Sequence, residues 1–258
     1  MKLWAFVLLL GTFQLHAQTA RILTVSEPPA NFVNLSGEVD GYVTDIVQAM
    51  QRLLKDNTRI EVMPEARVLY TVNKYRNVVF YSFSRTDDRE YKYHWIKHVL
   101  SKQWLIYARA DSNIQIDNIE QLKIAPAIGV VIGDIRSIWL KNLGFENLQP
   151  VTNHRQNLRR LMADRLSLIA TERLTTHYLA HELGLSMDTM KVVFVLNQSD
   201  VYIAMSKSSE PELVERWQQA GQVLSLSGEM DKITARWAQR IKGSEGLDVS
   251  IQNGVLVF

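Results

Sequence analysis

The stretch Tyr81-Ser82-Phe83-Ser84-Arg85-Thr86-Asp87-Asp88-Arg89 carries two serine hydroxyls and two guanidinium groups. It follows the apolar run Val78-Val79-Phe80, so it reads as a buried strand that ends in serines and turns through Thr86-Asp87-Asp88 into a helix. At such a junction hydroxyls and free backbone N–H groups donate to an oxyanion, and an arginine grips a carboxylate with two parallel hydrogen bonds. A capped turn followed by solvated charges uses the same residue types. The segment alone admits both readings, and the elements around it have to decide.

Those elements alternate. Ile22 to Val25 forms a strand ended by Pro28-Pro29, and Asn34 to Asp40 is a polar loop. Val43, Ile46, Val47, Met50, Leu53 and Leu54 fall at helical spacing and predict a helix over 44–55. A strand over 59–63, a helix over 66–74 and a strand over 78–83 follow. Such strand–helix–strand units build parallel sheets with helices packed on them. Further strands are expected at 104–108, 128–132, 166–170, 192–195 and 201–205. Helices are expected after Gly133-Asp134, after Asn153, over 173–183, over 211–224 and over 229–241. Gly144 and Gly184 sit where helices stop. The alternation argues for an α/β fold.

Other chemistries are poorly supplied. His177 and His181 share a helix face, but Tyr178 stands where a zinc peptidase would carry glutamate, and no further ligand is evident. His94 and His98 read as structural or surface residues. Gly129-Val130-Val131-Ile132-Gly133 lacks the third glycine of a dinucleotide turn. Neither a Gly-x-Ser-x-Gly elbow nor a serine–histidine–aspartate set can be picked out by spacing. Metal and cofactor sites are therefore not expected. Arg67 and Arg85 read either as positive rims of a cleft or as solvated charges.

Composition and the first residues bound the class. The formal net charge is +2 and the charges are interspersed, which gives no electrostatic case for nucleic acid or anionic lipid. Lys2 precedes the apolar stretch Leu3 to Phe13, followed by small and polar residues. This pattern fits a secretory signal over residues 1–17, cleaved near Ala17. The sequence contains no cysteine, which excludes disulfides, thiolate metal sites and lipid anchoring through a cysteine after the cleavage site. Stability must come from a packed core, and 47% hydrophobic content can supply one.

Five segments, in this order, resemble the extracellular solute-binding proteins of family 3, the periplasmic binding proteins of polar amino-acid uptake. They are Glu27-Pro28-Pro29, Gly41-Tyr42-Val43-Thr44-Asp45-Ile46, Ser84-Arg85-Thr86-Asp87-Asp88-Arg89, Ile128-Gly129-Val130-Val131-Ile132-Gly133 and the stretch from Ser227 to Trp237. The resemblance implies a type II, two-lobed periplasmic binding fold with two hinge strands and a ligand cleft between the lobes. Lobe one would comprise residues 18–100 and 206–258, and lobe two residues 101–205. A ligand touching both lobes favours the closed state, and closure is what a membrane partner detects.

The same resemblance assigns roles. The carboxylate-binding arginine falls on Arg89, with hydroxyl and backbone donors near Ser82 and Ser84. The acid that pairs with a ligand ammonium falls on Glu172, where the family usually has aspartate. Glu27 would lie at the cleft rim, and the aromatic residue that stacks on the ligand would fall near Ala30, with Phe32 or Tyr81 as substitutes. Gly133 and Asp134 would set a helix N-terminus against the ligand carboxylate. Asp134 stands where the family often carries a hydroxyl residue, and a carboxylate there repels a ligand carboxylate. The implied protein is a monomeric, non-enzymatic periplasmic carrier of a small amino-acid-like molecule, with an ABC permease or membrane sensor as partner. A dehydratase-like enzyme on the same scaffold, using Glu172 or Glu27 as acid or base, and a stand-alone sensing module are the alternatives.

Overall fold

The computed structural model describes residues 20–257; the signal expected over residues 1–17 lies outside the described residues. Strand β1 (Arg21–Thr24) leads to a cis Pro28–Pro29 bond and a small hairpin, β2 (Phe32–Val33) and β3 (Val39–Asp40). Helix α1 (Tyr42–Leu54) then forms because Val43, Ile46, Val47 and Met50 recur on one face, and all four are fully buried. Each such side chain contributes about 1.5–3 kcal/mol by leaving water. β4 (Ile60–Val62), α2 (Glu65–Lys74) and β5 (Val78–Ser84) complete a parallel β4-β1-β5 sheet, as the strand–helix–strand spacing predicts.

After β5 the expected helix is absent. The Arg89 N–H donates to the Thr86 carbonyl, that of Glu90 to Asp87 and that of Lys92 to Arg89, each reaching three residues back. An α-helix would reach four. The segment is a run of turns, and the chain passes from it directly into β6 (Tyr93–Arg109).

The second half adds α3 (Ile119–Ile124), β7 (Ile128–Val131), α4 (Ile135–Asn142), β8 (Leu148–Val151), α5 (His154–Met162), β9 (Leu168–Glu172) and α6 (Arg173–Glu182). β10 (Met190–Ser206) returns the chain to α7 (Pro211–Leu226) and α8 (Glu229–Glu245). The tail forms a hairpin of β11 (Ser250–Gln252) and β12 (Val255–Val257), and β12 lies parallel to β6 at Leu100 and Ser101.

The long strands β6 and β10 pair antiparallel from Met190–Arg109 to Ser206–Tyr93 and form the spine of the sheet β4-β1-β5-β10-β6-β9-β7-β8. β5 pairs with β10 over Val201–Met205, whereas β9 pairs with β6 over Trp104–Ala108. The two strands therefore run through both lobes of a two-lobed α/β fold. The sequence reading sees only 104–108 of β6 and divides β10 in two. Four register shifts and the polar run Asn197-Gln198-Ser199-Asp200 interrupt the alternation that would reveal one continuous strand.

Each lobe has its own apolar core. One gathers Ile46, Met50, Trp217 and Trp237 beneath α1, α7 and α8. In the other, the two faces of the sheet are packed around Leu105 with Leu161 and around Ile106 with Leu140. Among the described residues no helix is long and apolar enough to cross a membrane.

Candidate functional site

Where the lobes meet, the ends of β1, β4, β5 and β7 and the starts of α2, α4 and α5 enclose a cavity of about 420 Å³. This is where ligands bind in α/β sheets, at the strand ends and against helix N-termini. Ser82 is the residue skipped when the β5–β10 register shifts between Tyr202 and Ile203, and its φ is +70°. A non-glycine residue in the left-handed region at a bulge is strained, and bulges re-aim side chains at functional sites. Here the hydroxyl donates to the Asn31 side-chain amide oxygen. Ser84 lies 3.0 Å from the Ser199 hydroxyl, which also receives the Trp104 indole N–H at 2.9 Å.

Arg89 is held by the turns beyond β5 with its side chain buried, and its guanidinium lies over the Phe83 ring. One nitrogen, Nη1, reaches the Ser84 carbonyl at 3.5 Å; Nη2 has no hydrogen-bond partner, and Glu65 Oε1 stands 3.7 Å from it. A buried guanidinium nitrogen without a partner is costly unless something else supplies the acceptor.

The opposite lobe supplies a second charged group. Asp134 caps α4 by accepting from the Arg136 backbone N–H at 2.7 Å, and the Arg136 side chain folds back to grip the same carboxylate with Nε and Nη2. His154, at the start of α5, places Nε2 at 3.3 Å from Asp134 Oδ2. Arg136 Nη2 also reaches across to Glu27 Oε1 at 3.3 Å, and Lys102 Nζ donates to that oxygen at 2.6 Å. Arg136 Nη1 and His154 Nδ1 have no partner.

The charges set one another's protonation. Burial alone would raise the pKa values of Glu27 and Asp134. The positive charges of Lys102 and Arg136 override it for Glu27, and Arg136 does so for Asp134, so both carboxyls titrate below their usual range, Asp134 far below. Glu65 behaves oppositely. Burial and the nearby Asp134 carboxylate raise its pKa well above the ordinary value, against the pull of Arg89.

Of the residues expected from the sequence, Arg89, Ser82, Ser84, Glu27 and Asp134 are brought together at this cavity. Glu27 is not an open rim residue but buried and paired twice. Asp134 turns its carboxylate onto its own helix end, so α4 is already capped from within the chain. Gly133 sits beside it at φ +80°, and a Cβ added there would press on Ala66 across the cleft.

Two expected residues are placed elsewhere. Glu172 does not line the cavity; it is the N-cap of α6, accepting from the Leu174 and Thr175 N–H groups at 2.7 and 2.6 Å. Those N–H groups are among the four that a helix leaves unsatisfied, and a carboxylate there satisfies them well. Tyr81 is in the core, its hydroxyl 3.0 Å from that of Thr44. Arg85 pairs with Glu90 and faces the Trp95 and Tyr202 rings outside the cleft, and Arg67 is exposed.

Glu65, Lys102, Arg136 and His154 were missed by the sequence reading. Pro64-Glu65 directly after a strand and His154 directly after the Asn153 cap mark helix starts facing the strand ends, which is the signal that could have found two of them. Lys102 and Arg136 carry no such signal. Among the described residues no group of three or more histidine, aspartate or glutamate side chains is placed to hold a metal ion.

Residues 21–240 match the bacterial extracellular solute-binding proteins, family 3. The chain belongs to that family. Solved structures are similar in fold. A histidine kinase sensor domain described as similar to periplasmic binding proteins aligns with a TM-score of 0.76 at 17% identity, covering 84% of this chain and 95% of its own. An ancestral arginine-binding protein bound to arginine aligns at 0.74 and 19%, covering 85% and 97%. Holo ArgBP from T. maritima aligns at 0.69 and 18%, covering 84% and 95%. No curated protein matches the chain. The cavity of this family member lies where the two lobes meet.

Proposed function

We propose that this chain is a non-enzymatic periplasmic binding protein that captures a small, polar, amino-acid-like solute in the cleft between its lobes. The observation that carries the reading is Arg89: a buried guanidinium at the cavity wall with an unpartnered Nη2, beside the hydroxyls of Ser82 and Ser84. A ligand carboxylate would complete it with charge-assisted hydrogen bonds. The lobes would divide at residues 18–100 with 206–258, and 101–205, with β6 and β10 as hinges. Contacts such as the Thr175 hydroxyl on the Pro28 carbonyl at 3.1 Å would form on closure.

An enzyme reading is less well supported. Glu27 is held ionised by Lys102 and Arg136, and Glu172 is engaged as a helix cap, so neither carboxyl proposed as acid or base is poised for it. Between uptake and sensing, the domain order suits either an ABC permease or a membrane signalling partner. The likeness to a histidine kinase sensor domain favours keeping the second reading beside the first.

The test is a thermal-shift screen of the mature protein against amino acids, small carboxylic acids and polyamines. The reading expects stabilisation by a carboxylate-bearing solute, recovered chemically unchanged, and loss of that stabilisation in Arg89→Ala. Turnover of the bound acid, or stabilisation by polyamines alone, would overturn it.

A further inference from the structure

Arg89 and Arg136 reach the same cavity from opposite lobes, and each keeps one guanidinium nitrogen without a partner, Nη2 and Nη1 respectively. Both side chains are at least nine-tenths buried. We propose that the ligand carries two anionic groups, one received by Arg89 and the other by Arg136 with His154, so that the site selects a small dicarboxylic acid or an acidic amino acid. This rests on the binding-protein reading above and narrows it.

The charge balance at the wall agrees. Arg89, Lys102 and Arg136 are cationic, and Glu27 and Asp134 offset two of them. Glu65 Oε1 stands 3.7 Å from Arg89 Nη2, beyond hydrogen-bond reach, and leaves that nitrogen open to a ligand acceptor. Two guanidinium nitrogens, one from each lobe, therefore still lack an acceptor, and low-dielectric walls strengthen their pull on an anion. A cationic side chain entering the lobe-two end would meet Arg136 and Lys102, whose acceptors Glu27 and Asp134 are already taken. The second subsite is also preorganised. Asp134 holds Arg136 through Nε and Nη2 and leaves Nη1 over, and His154 Nδ1 is likewise unpaired. A bound carboxylate would accept a charge-assisted hydrogen bond from Arg136 Nη1, which a neutral amide oxygen makes more weakly.

The experiment is calorimetric titration of the mature protein with two pairs that differ in one charge, L-glutamate against L-glutamine and L-aspartate against L-asparagine, with succinate, glutarate and L-arginine alongside. The proposal expects the acid to bind at least about tenfold tighter than its amide in one pair or both. In the double variant Arg136→Gln with Asp134→Asn, chosen so that no carboxylate is stranded, that ratio should fall to about twofold or less. If the amides or arginine bind as tightly as the acids, the two-anion proposal is overturned while the binding-protein reading stands. If none of these compounds binds while another carboxylate-bearing solute of the thermal-shift screen does, the two-anion proposal falls and the binding-protein reading stands. The wild-type comparison decides the matter even if the double variant does not fold.

Discussion

Lys102 Nζ donates to Glu27 Oε1 at 2.6 Å, and both side chains are almost wholly removed from water. This pair joins the loop after β1 in one lobe to β6, and Arg136 adds a second cation from α4 on the far side of the cleft. An ionised carboxylate is thus held between the lobes by two charges. Removing Glu27 leaves Lys102 buried without compensation, whereas Arg136 keeps Asp134.

Glu27→Gln should therefore destabilise the protein by about 3–5 kcal/mol, as for other broken buried ion pairs. Denaturant unfolding reads this directly. The double variant Glu27→Leu with Lys102→Met should recover much of the loss, because Arg136 remains paired with Asp134.

Stability should respond to pH on both sides. Asp134 titrates well below its ordinary value of 3.8, so its contribution is present above that value and is lost as pH falls through the native value. Glu65 titrates well above 4.5, so its contribution is full below 4.5 and is lost as pH rises through its native value. Melting temperatures of the ligand-free protein across pH should show both slopes. Glu65→Gln should flatten the decline on the alkaline side alone.

Gly133→Ala places a Cβ at 3.1 Å from the Ala66 nitrogen and forces a φ of +80° on an L-residue. A loss of about 1–3 kcal/mol is expected. Because Ala66 opens α2 across the cleft, ligand affinity should fall together with stability, as calorimetry of the folded variant can show.

Arg85 provides the contrast to Arg89. It pairs with Glu90 and lies over the Trp95 and Tyr202 rings, away from the cavity. Arg85→Ala should cost at most about 1 kcal/mol of stability and leave ligand affinity unchanged.

Much of this arrangement can be read from the chain, and the limits have physical causes. The buried face of α1 and the β1, β4 and β5 strands follow from periodicity alone, since helical and alternating patterns are local. The continuity of β6 and β10 is hidden by bulges and by polar residues at the crossing between lobes, where burial is uneven. The resemblance rather than the spacing singles out Arg89, since the segment by itself reads equally as a capped turn, and the structure places its side chain at the cavity wall. Lys102 is not legible, because its partner Glu27 is distant in sequence. Nor is Arg136, because its local pairing with Asp134 marks only a helix start while its contact with Glu27 forms across the fold. Glu172 illustrates the converse: an acid at a strand-to-helix step reads equally as a ligand group and as a cap, and here the helix takes it.

The most direct test is calorimetric titration of Arg89→Ala with the best-binding carboxylate of the wild-type screen, alongside a melting curve that shows the variant folded. Loss of measurable binding in a folded variant is the predicted result. Affinity equal to wild type would contradict the assignment of this cavity as the solute site.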